Sequence, residues 1–299
     1  MKKLLPVLLC AAMLLCLLPL EARAAAAAWD GTVDISWYDP AQTEYTIDTP
    51  AKLAGLAALV NGMADPAAKA IVGDRSYLVS KKVDNVMLLG AGGGNVFDTV
   101  YTGGVDFAYK TIYLTADLDM GGRKAADGSW TGPNWTPIGG KFPMKPQEAS
   151  GDCLTLDTRF NGVLDGQGHT IYNLYCDRYA AKGFPYSMAV GVVGFLGGNA
   201  DYANGGNGEK TEVEFENGWQ PTVRNLVLGS GSIYGRRMVG GIVGRVGETS
   251  NGVVIENCGN RADVRNTDSK GVGGICGSAW GAGTIRGCYN TGTISTTYT

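Results

Sequence analysis

The chain has 299 residues, of which 46 are glycine; 44% are hydrophobic and 18% are charged. An apolar share of this size can build a core and excludes global disorder, whereas glycine at roughly twice its usual share disfavours long helices. The net charge of -3 offers no basic footprint for nucleic acid, and a single histidine excludes most zinc and triad chemistry.

The first 24 residues have the three parts of a secretory signal peptide. Lys2 and Lys3 precede an apolar run over residues 4–20, and the small residues at 22 and 24 form a cleavage site. The run is short for a membrane anchor, and no later apolar stretch reaches membrane length. The sequence therefore predicts a secreted or cell-surface protein without a membrane span after cleavage.

Export places the chain where disulfides can form. The odd number of cysteines after cleavage leaves at least one thiol free or paired with another chain. The sequence alone leaves the pairing open among Cys153, Cys176, Cys258, Cys276 and Cys288.

Residues 25–110 are interpreted as a leader and cap that precede the main domain. Thr49 and Pro50 suit an N-cap and a first helical position, and apolar residues at 53, 56, 57 and 60 follow a helical stripe. This pattern predicts an amphipathic helix over about 50–60, whose one apolar face covers the open first coil of that domain. The glycine-rich stretch at 90–94 lacks the Lys-Ser/Thr ending of a phosphate loop and is interpreted as a plain loop.

Internal repeats determine the predicted architecture. Residues 240–244, GGIVG, recur 33 residues later as GGICG at 273–277, and GVVG at 191–194 is an earlier copy. A second phrase, with IYNL taken as its first member, occurs at 171–174, 223–226, 255–258 and 285–288. Stacking of the repeats predicts three inward columns: Ile171, Val223, Ile255 and Ile285; Leu174, Leu226, Cys258 and Cys288; and Ile233, Val264 and Ile294.

Short β-like runs joined by glycine and asparagine turns cannot bury an apolar face singly, so the repeats must stack. Parallel coils about 4.8 Å apart let each run pair with the next. The predicted fold is all-β, a right-handed parallel β-helix (β-solenoid) over residues 111–299, with a short N-terminal capping helix and an insertion at about 199–218. The handedness follows the bias of parallel crossovers. Because the last repeat ends near Ile294 without a cap, the chain is expected to be truncated at its C-terminus.

The glycine phrases resemble GLUG-motif repeats of bacterial surface proteins. The Asn-Cys and Cys-Tyr-Asn phrases that follow them, and the upstream segments 135–139 and 160–171, fit the same resemblance, which covers about residues 105–299. It implies a right-handed β-helix that is secreted or on a cell surface, often in adhesin-like proteins. Some relatives lie beside immunoglobulin-cleaving metallopeptidases, but this chain has no His-Glu-x-x-His, so that activity does not transfer.

The enzyme alternative is a polysaccharide lyase or glycoside hydrolase, which needs clustered carboxylates. Asn266-Thr267-Asp268 superficially resembles one hydrolase motif, but its usual partners are absent, so a turn between coils is favoured. Asp117 and Asp119 could share a Ca²⁺ ion, although two carboxylates are too few for a site. His169, the unique histidine, is interpreted as a turn residue. The sequence therefore assigns no catalytic, cofactor or metal residues.

Other positions have structural interpretations beside functional ones. Cys258 and Cys288 occupy equivalent places on successive coils, which allows either a disulfide or a column of buried thiols. Asn260 and Asn290 share a turn position and predict an asparagine ladder along the stack. The tryptophans could either stack on sugar rings or simply pack in the leader and loops: Trp29, Trp37, Trp130, Trp135, Trp219 and Trp280.

The favoured function is a non-catalytic extracellular module that displays loops and binds a glycan or a host or matrix protein, with no cofactor and no nucleic acid. The binding prediction follows from the resemblance and from export rather than from a binding motif. Two alternatives stay open: the polysaccharide-degrading enzyme, and a structural stalk that presents a domain absent from this chain.

Overall fold

A computed structural model of the chain describes residues 27–62, 81–89, 95–102, 104–143, 155–178, 188–198, 202–203, 214–268 and 271–297. Several predictions lie outside these ranges. They concern the signal peptide at 1–24, the glycine-rich loop at 90–94, Cys153, and most of the insertion at 199–218.

The described residues form one α-helix, α1 (Pro50–Val60), one 3-10 turn at Glu216–Gly218, and 28 short strands. In chain order the strands are β1 (Glu44–Ile47), β2 (Lys81–Leu89), β3 (Asn95–Thr102), β4 (Thr111–Leu114), β5 (Leu118–Asp119), β6 (Arg123–Lys124), β7 (Trp130–Thr131), β8 (Gly140–Pro143), β9 (Thr155–Thr158), β10 (Val163–Asp165), β11 (Thr170–Tyr172), β12 (Leu174–Asp177), β13 (Met188–Val190), β14 (Val193–Leu196), β15 (Tyr202–Ala203), β16 (Thr222–Arg224), β17 (Val227–Leu228), β18 (Gly231–Gly235), β19 (Arg237–Gly240), β20 (Val243–Val246), β21 (Val253–Glu256), β22 (Gly259–Asn260), β23 (Asp263–Asn266), β24 (Val272–Gly273), β25 (Cys276–Ala279), β26 (Gly283–Arg286), β27 (Tyr289–Asn290) and β28 (Ile294–Thr296).

Five parallel sheets dominate this architecture. Their strand orders are β1-β4-β10-β16-β21-β26, β5-β11-β17-β22-β27, β12-β18-β23-β28, β13-β19-β24 and β14-β20-β25. Each chain segment from β10–β14, β16–β20 and β21–β25 contributes one strand to every sheet, and we call such a segment a coil. Antiparallel pairing is confined to β2-β3, β6-β7 and β8-β9-β15 in the described residues. The prediction of a mainly β protein is thereby confirmed.

The strands stack in register, so that inward side chains form continuous columns. The six-stranded sheet aligns Tyr45, Ile112, Leu164, Val223, Ile255 and Ile285. The five-stranded sheet aligns Leu118, Ile171, Leu228, Asn260 and Asn290, and the four-stranded sheet aligns Cys176, Ile233, Val264 and Ile294. Before the last coil these side chains are at most 4% exposed, and each buried aliphatic side chain contributes roughly 1.5–3 kcal/mol.

The predicted alignment of the first repeat is wrong. Ile171 lies between Leu118 and Leu228 in the five-stranded sheet. The residue that precedes Val223 in its column is Leu164. The IYNL phrase therefore belongs to a different side of the coil from VRNL. The alignment of the third phrase is confirmed by the pairing in the four-stranded sheet.

A shared turn conformation explains the misalignment. Asn173, Asn225 and Asn257 all have left-handed backbones, with φ of 56°, 53° and 52°. Asparagine tolerates this region better than other residues with a side chain. Asn173 makes the turn before β12, whereas Asn225 makes the turn before β17, so Leu174 lies opposite Gly231 rather than Leu226. The same asparagine turn occurs at two different corners of the coil, and this explains why the sequences IYNL and VRNL are similar.

The final glycine of each GLUG-like phrase packs against backbone. Residues 191–194, 241–244 and 274–277 align as predicted. A Cβ at Gly244 would lie 2.8 Å from the Cα of Ala189 in the preceding coil. The glycines at this position thus let two sheets approach at a tight corner.

The predicted asparagine ladder runs along the stack from the buried Asn260 to the exposed Asn290. The Asn260 Nδ2 donates to Asn290 Oδ1 at 2.7 Å, and Ala262 N donates to Asn260 Oδ1 at 3.2 Å. A Cβ at Gly241 would lie 2.6 Å from the side chain of Asn260, which belongs to β22 in the five-stranded sheet. Gly241 and Gly274 of the GLUG-like phrases therefore lie against the side chains of Asn260 and Asn290.

The helix has the expected N-terminus but not the expected amphipathic character. Thr49 caps it by accepting a hydrogen bond from the Lys52 N at 3.3 Å. Nine of its eleven residues are buried. Its second face is covered by residues 29–38, where Asp34 N donates to Ala51 O at 3.0 Å. The prediction of a single apolar face is therefore wrong. The sequence of the covering segment has no hydrophobic periodicity from which its position on the helix could have been predicted.

The end of α1 is fixed to the β-sheets through a buried amide. Asn61 Nδ2 donates to Pro137 O at 2.9 Å, and its Oδ1 accepts from the Thr158 hydroxyl at 2.8 Å.

Within the ranges that the structure describes, no helix has the length and hydropathy needed to cross a membrane.

Candidate functional site

The outward surface of the five-stranded sheet is the candidate site, which we call the sheet-face site. Inward and outward side chains alternate along a strand, so the buried column leaves two outward rows. These rows are Asp117, Thr170, Val227, Gly259 and Tyr289, and Asp119, Tyr172, Gly229, Arg261 and Thr291. Six of these residues lie on the paired strands, and the other four directly precede or follow a strand: Asp117, Gly229, Arg261 and Thr291.

His169 and Asp117 meet at the first edge of the sheet-face site. Asp117 Oδ1 lies 3.1 Å from His169 Nδ1 and accepts a hydrogen bond from Thr170 N at 3.0 Å. His169 N donates to Gly166 O at 2.7 Å and so closes a turn. The carboxylate orients the ring and the start of β11, which agrees with the interpretation of His169 as a turn residue.

Asp119, the second carboxylate considered for a shared Ca²⁺ ion, has hydrogen-bond partners different from those of Asp117. Its Oδ1 accepts from Gly121 N and from Asn173 Nδ2, both at 2.9 Å. Across the part of the chain that the structure describes, no three His, Cys, Asp or Glu side chains converge in a way that could hold a metal ion.

The Asn266-Thr267-Asp268 segment forms a cross-coil contact. Asn266 is 2% exposed and its Nδ2 donates to Asp268 O at 2.8 Å. The Asp268 carboxylate accepts from Arg237 Nε at 2.5 Å and lies 3.4 Å from Arg236 Nε. Two guanidinium groups neutralise this carboxylate, so it serves to join neighbouring coils.

The described cysteines are free thiols rather than disulfides: Cys176, Cys258, Cys276 and Cys288. Of the two interpretations of Cys258 and Cys288, the structure has the thiol column. The Cys258 Sγ lies 3.2 Å from Glu256 O. Burial raises the pKa of Cys176 and of Cys258 to about 12, and that of Cys276 to about 11. Such thiols are inert at neutral pH.

This arrangement predicts selective alkylation. In the native protein at slightly alkaline pH, iodoacetamide should modify the partly exposed Cys288 and leave Cys176 and Cys258 unmodified until urea unfolds the chain. Peptide mass spectrometry after timed quenching measures each site. Fast native labelling of Cys258, or recovery of a Cys258–Cys288 disulfide peptide, would contradict the thiol column.

Tyr172 and Tyr289 are the large exposed side chains of the sheet-face site, at 41% and 40% exposure. Each ring lies over a glycine of the adjacent strand. A Cβ at Gly229 would lie 2.8 Å from Cε1 of Tyr172, and one at Gly259 would lie 2.5 Å from Cε1 of Tyr289. Each tyrosine therefore packs one side on backbone and presents the rest to solvent.

Arg261 is exposed beside the second ring. Its Nη2 donates to the Tyr289 hydroxyl at 3.2 Å, and its Cζ lies 5.9 Å from the ring centroid. No carboxylate forms an ion pair with Arg261 in the described ranges. The sequence predictions missed this group. The sequence does contain a glycine at the position that faces each tyrosine on the neighbouring strand. These pairs can be recognised only when the register of the strands is known.

The tryptophans are mostly packing residues. Aromatic and cationic neighbours surround Trp29, Trp37, Trp130, Trp135 and Trp219. Trp280 is 56% exposed, and the Arg245 Cζ lies 4.9 Å from its ring centroid. Sugar stacking by tryptophan therefore has little support outside Trp280.

Fold and site together define a repeat protein of stacked parallel β-strands with an aromatic and charged outer face. The family model described as the GLUG motif matches residues 268–295. The chain therefore carries a GLUG motif, and the resemblance drawn from the sequence is confirmed for this segment.

Two further comparisons place the chain beside known proteins. It is 33% identical to halomucin of Haloquadratum walsbyi over 142 residues, which are 44% of this chain and 1% of halomucin. The chain thus spans only a small part of that relative. It is similar to the crystal structure of a candidate immunoglobulin A1 protease from Bacteroides ovatus, with 17% identity, a TM-score of 0.30, and coverage of 64% of this chain and 71% of that chain.

Proposed function

We propose that this chain is an exported, non-catalytic module, folded as a closed right-handed parallel β-helix, that binds an extracellular ligand in the manner of an adhesin. The five parallel sheets around one apolar core support the closed coil, and the bias of parallel crossovers supports its hand. In this proposal α1 is the cap of the first coil and residues 1–24 are a cleaved signal peptide. The GLUG motif and the similarity to halomucin support an extracellular surface location.

The observation that carries the binding proposal is the sheet-face site itself. Tyr172 stands on β11 and Arg261 directly follows β22, and both of these strands are paired on two sides, whereas Tyr289 stands on the edge strand β27, which is paired with β22. Such a surface is preorganised, so a ligand loses little protein freedom on binding. The carboxylates considered for catalysis accept structural hydrogen bonds instead, as at Asp119 and Asp268. No cofactor is part of the proposal.

Binding and turnover can be separated in one experiment. The exported chain, residues 25–299, is passed over arrays of saccharides and matrix proteins while reducing ends are assayed in the same solutions. We expect saturable binding to at least one probe without depolymerisation. Newly formed reducing ends would replace the proposal by the polysaccharide-degrading enzyme, and an absence of saturable binding would replace it by the structural stalk.

A further inference from the structure

We propose that the sheet-face site binds a linear saccharide that carries uronic-acid carboxylates together with free hydroxyls, an inference that rests on the proposed binding function. The C–H face of a pyranose ring packs favourably on the electron-rich face of an aromatic ring. Tyr172 and Tyr289 offer such faces, and neither ring can sink into the sheet because each already lies on a glycine.

The two stacking positions are close together. The Tyr172 ring lies over Gly229 next to β17, and the Tyr289 ring lies over Gly259 on β22. Because β17 and β22 are paired neighbours, the supporting strands are about 4.8 Å apart, and Gly229 and Gly259 are offset by two positions, about 6.6 Å, along them. Two nearby platforms on one flat face suit successive units of a saccharide chain better than a single sugar.

The charges on the face define the polar groups of the ligand. The row from Asp119 through Tyr172 and Gly229 to Arg261 crosses three strand spacings, about 14 Å. Arg261 has donors to offer and no carboxylate partner in the described chain, so it suits an anionic group on the ligand. At the other end, Asp119 is a hydrogen-bond acceptor that suits a ligand hydroxyl, and Arg123 lies 3.8 Å from its Oδ1. A saccharide with isolated carboxylates and many hydroxyls satisfies both ends.

A peptide added as an extra strand does not fit this face. The central strands β11, β17 and β22 each have a hydrogen-bonded neighbour on both sides, and the free backbone edge of β27, which carries Tyr289, lies at the end of the sheet rather than on its face. Strand addition requires a free backbone edge. A ligand that lies across the face and contacts both rings must therefore be recognised by side chains, as a saccharide would be.

The test uses calorimetric titration of the exported chain with a hyaluronan oligosaccharide and with a neutral cello-oligosaccharide of equal length. We expect tighter binding of hyaluronan. Tyr172→Ala and Tyr289→Ala should each weaken it by about tenfold, whereas Tyr172→Phe should not. Arg261→Gln should weaken hyaluronan by about tenfold, remove most of its salt dependence, and leave the neutral saccharide unaffected.

Tyr234→Ala is the matched control, because Tyr234 is an outward tyrosine whose ring is covered by the Arg265 guanidinium at 3.9 Å. It should bind as the unchanged chain does, and thermal unfolding checks that all variants are folded. Unchanged affinity in both alanine variants, or equal affinity for the two saccharides, would overturn this inference. Binding to matrix proteins only would overturn it and leave the proposed function standing, whereas no saturable binding of any probe would remove both.

Discussion

Replacement of Gly244 by alanine is expected to lower the free energy of unfolding by about 3 kcal/mol. The added Cβ would lie 2.8 Å from the Ala189 Cα and closer still to two other backbone atoms of the preceding coil. Backbone atoms held in a parallel sheet cannot turn aside as the end of a side chain can, so the two coils must separate. Urea unfolding followed by circular dichroism measures the loss.

Gly128→Asn is the control for this substitution. A Cβ at Gly128 would meet nothing within 4 Å, and its φ of 86° is a left-handed conformation that asparagine tolerates. We expect a loss below about 1 kcal/mol. If Gly244→Ala destabilises the protein no more than Gly128→Asn does, close backbone packing is not the reason for glycine at the end of the motif.

The β architecture could be predicted because recurring glycine and aliphatic phrases reveal which residues stack. The phrases at 240–244 and 273–277 align in the structure with the predicted offset. The corner that each asparagine turn occupies could not be predicted. Asn173 and Asn225 have the same left-handed backbone at different corners, and the phrases IYNL and VRNL around them are similar because of this shared turn.

The same error in register hid the candidate site. If Ile171 were aligned with Val223, Tyr172 would lie opposite Arg224. In the structure Ile171 lies opposite Leu228, which places Tyr172 beside Gly229. A ring on a glycine 57 residues away is visible only once the strands are correctly paired. Arg261 was missed because its availability depends on which carboxylates lie near it.

A column of alternating charge on the six-stranded sheet helps to specify the register. Asp165, Arg224, Glu256 and Arg286 occupy facing positions on β10, β16, β21 and β26. The Arg224 Nε donates to Asp165 at 2.8 Å, and the Arg286 Nε donates to Glu256 at 2.7 Å. Opposite charges at facing positions favour this pairing, and a shifted strand would lose these contacts.

Asp165 is the member of this column with the most complete set of partners. Its side chain is 3% exposed, and its oxygens accept from Arg224, from Asn225 Nδ2 at 3.0 Å and from Gln167 N at 2.9 Å. Burial alone would raise the pKa of Asp165, but the hydrogen bonds from Asn225, Gln167 and Arg224 outweigh it. The pKa therefore lies below its usual value of 3.8.

Asp165→Asn is expected to lower the free energy of unfolding by about 2 kcal/mol at neutral pH, because an amide nitrogen would face a donor and the charge would be lost. Since the folded-state pKa is lowered, the carboxylate stabilises the protein fully above its unfolded pKa of about 4, and this contribution is lost as the pH falls through the folded value. The gap between the unchanged chain and the variant should therefore shrink on acidification below about pH 4. Urea unfolding at a series of pH values measures this gap.

Asp263→Asn is the control. It removes only an exposed ion pair with Lys124 and should lower the free energy of unfolding by less than about 0.5 kcal/mol. A gap that does not change with pH would mean that the contribution of Asp165 is packing rather than charge.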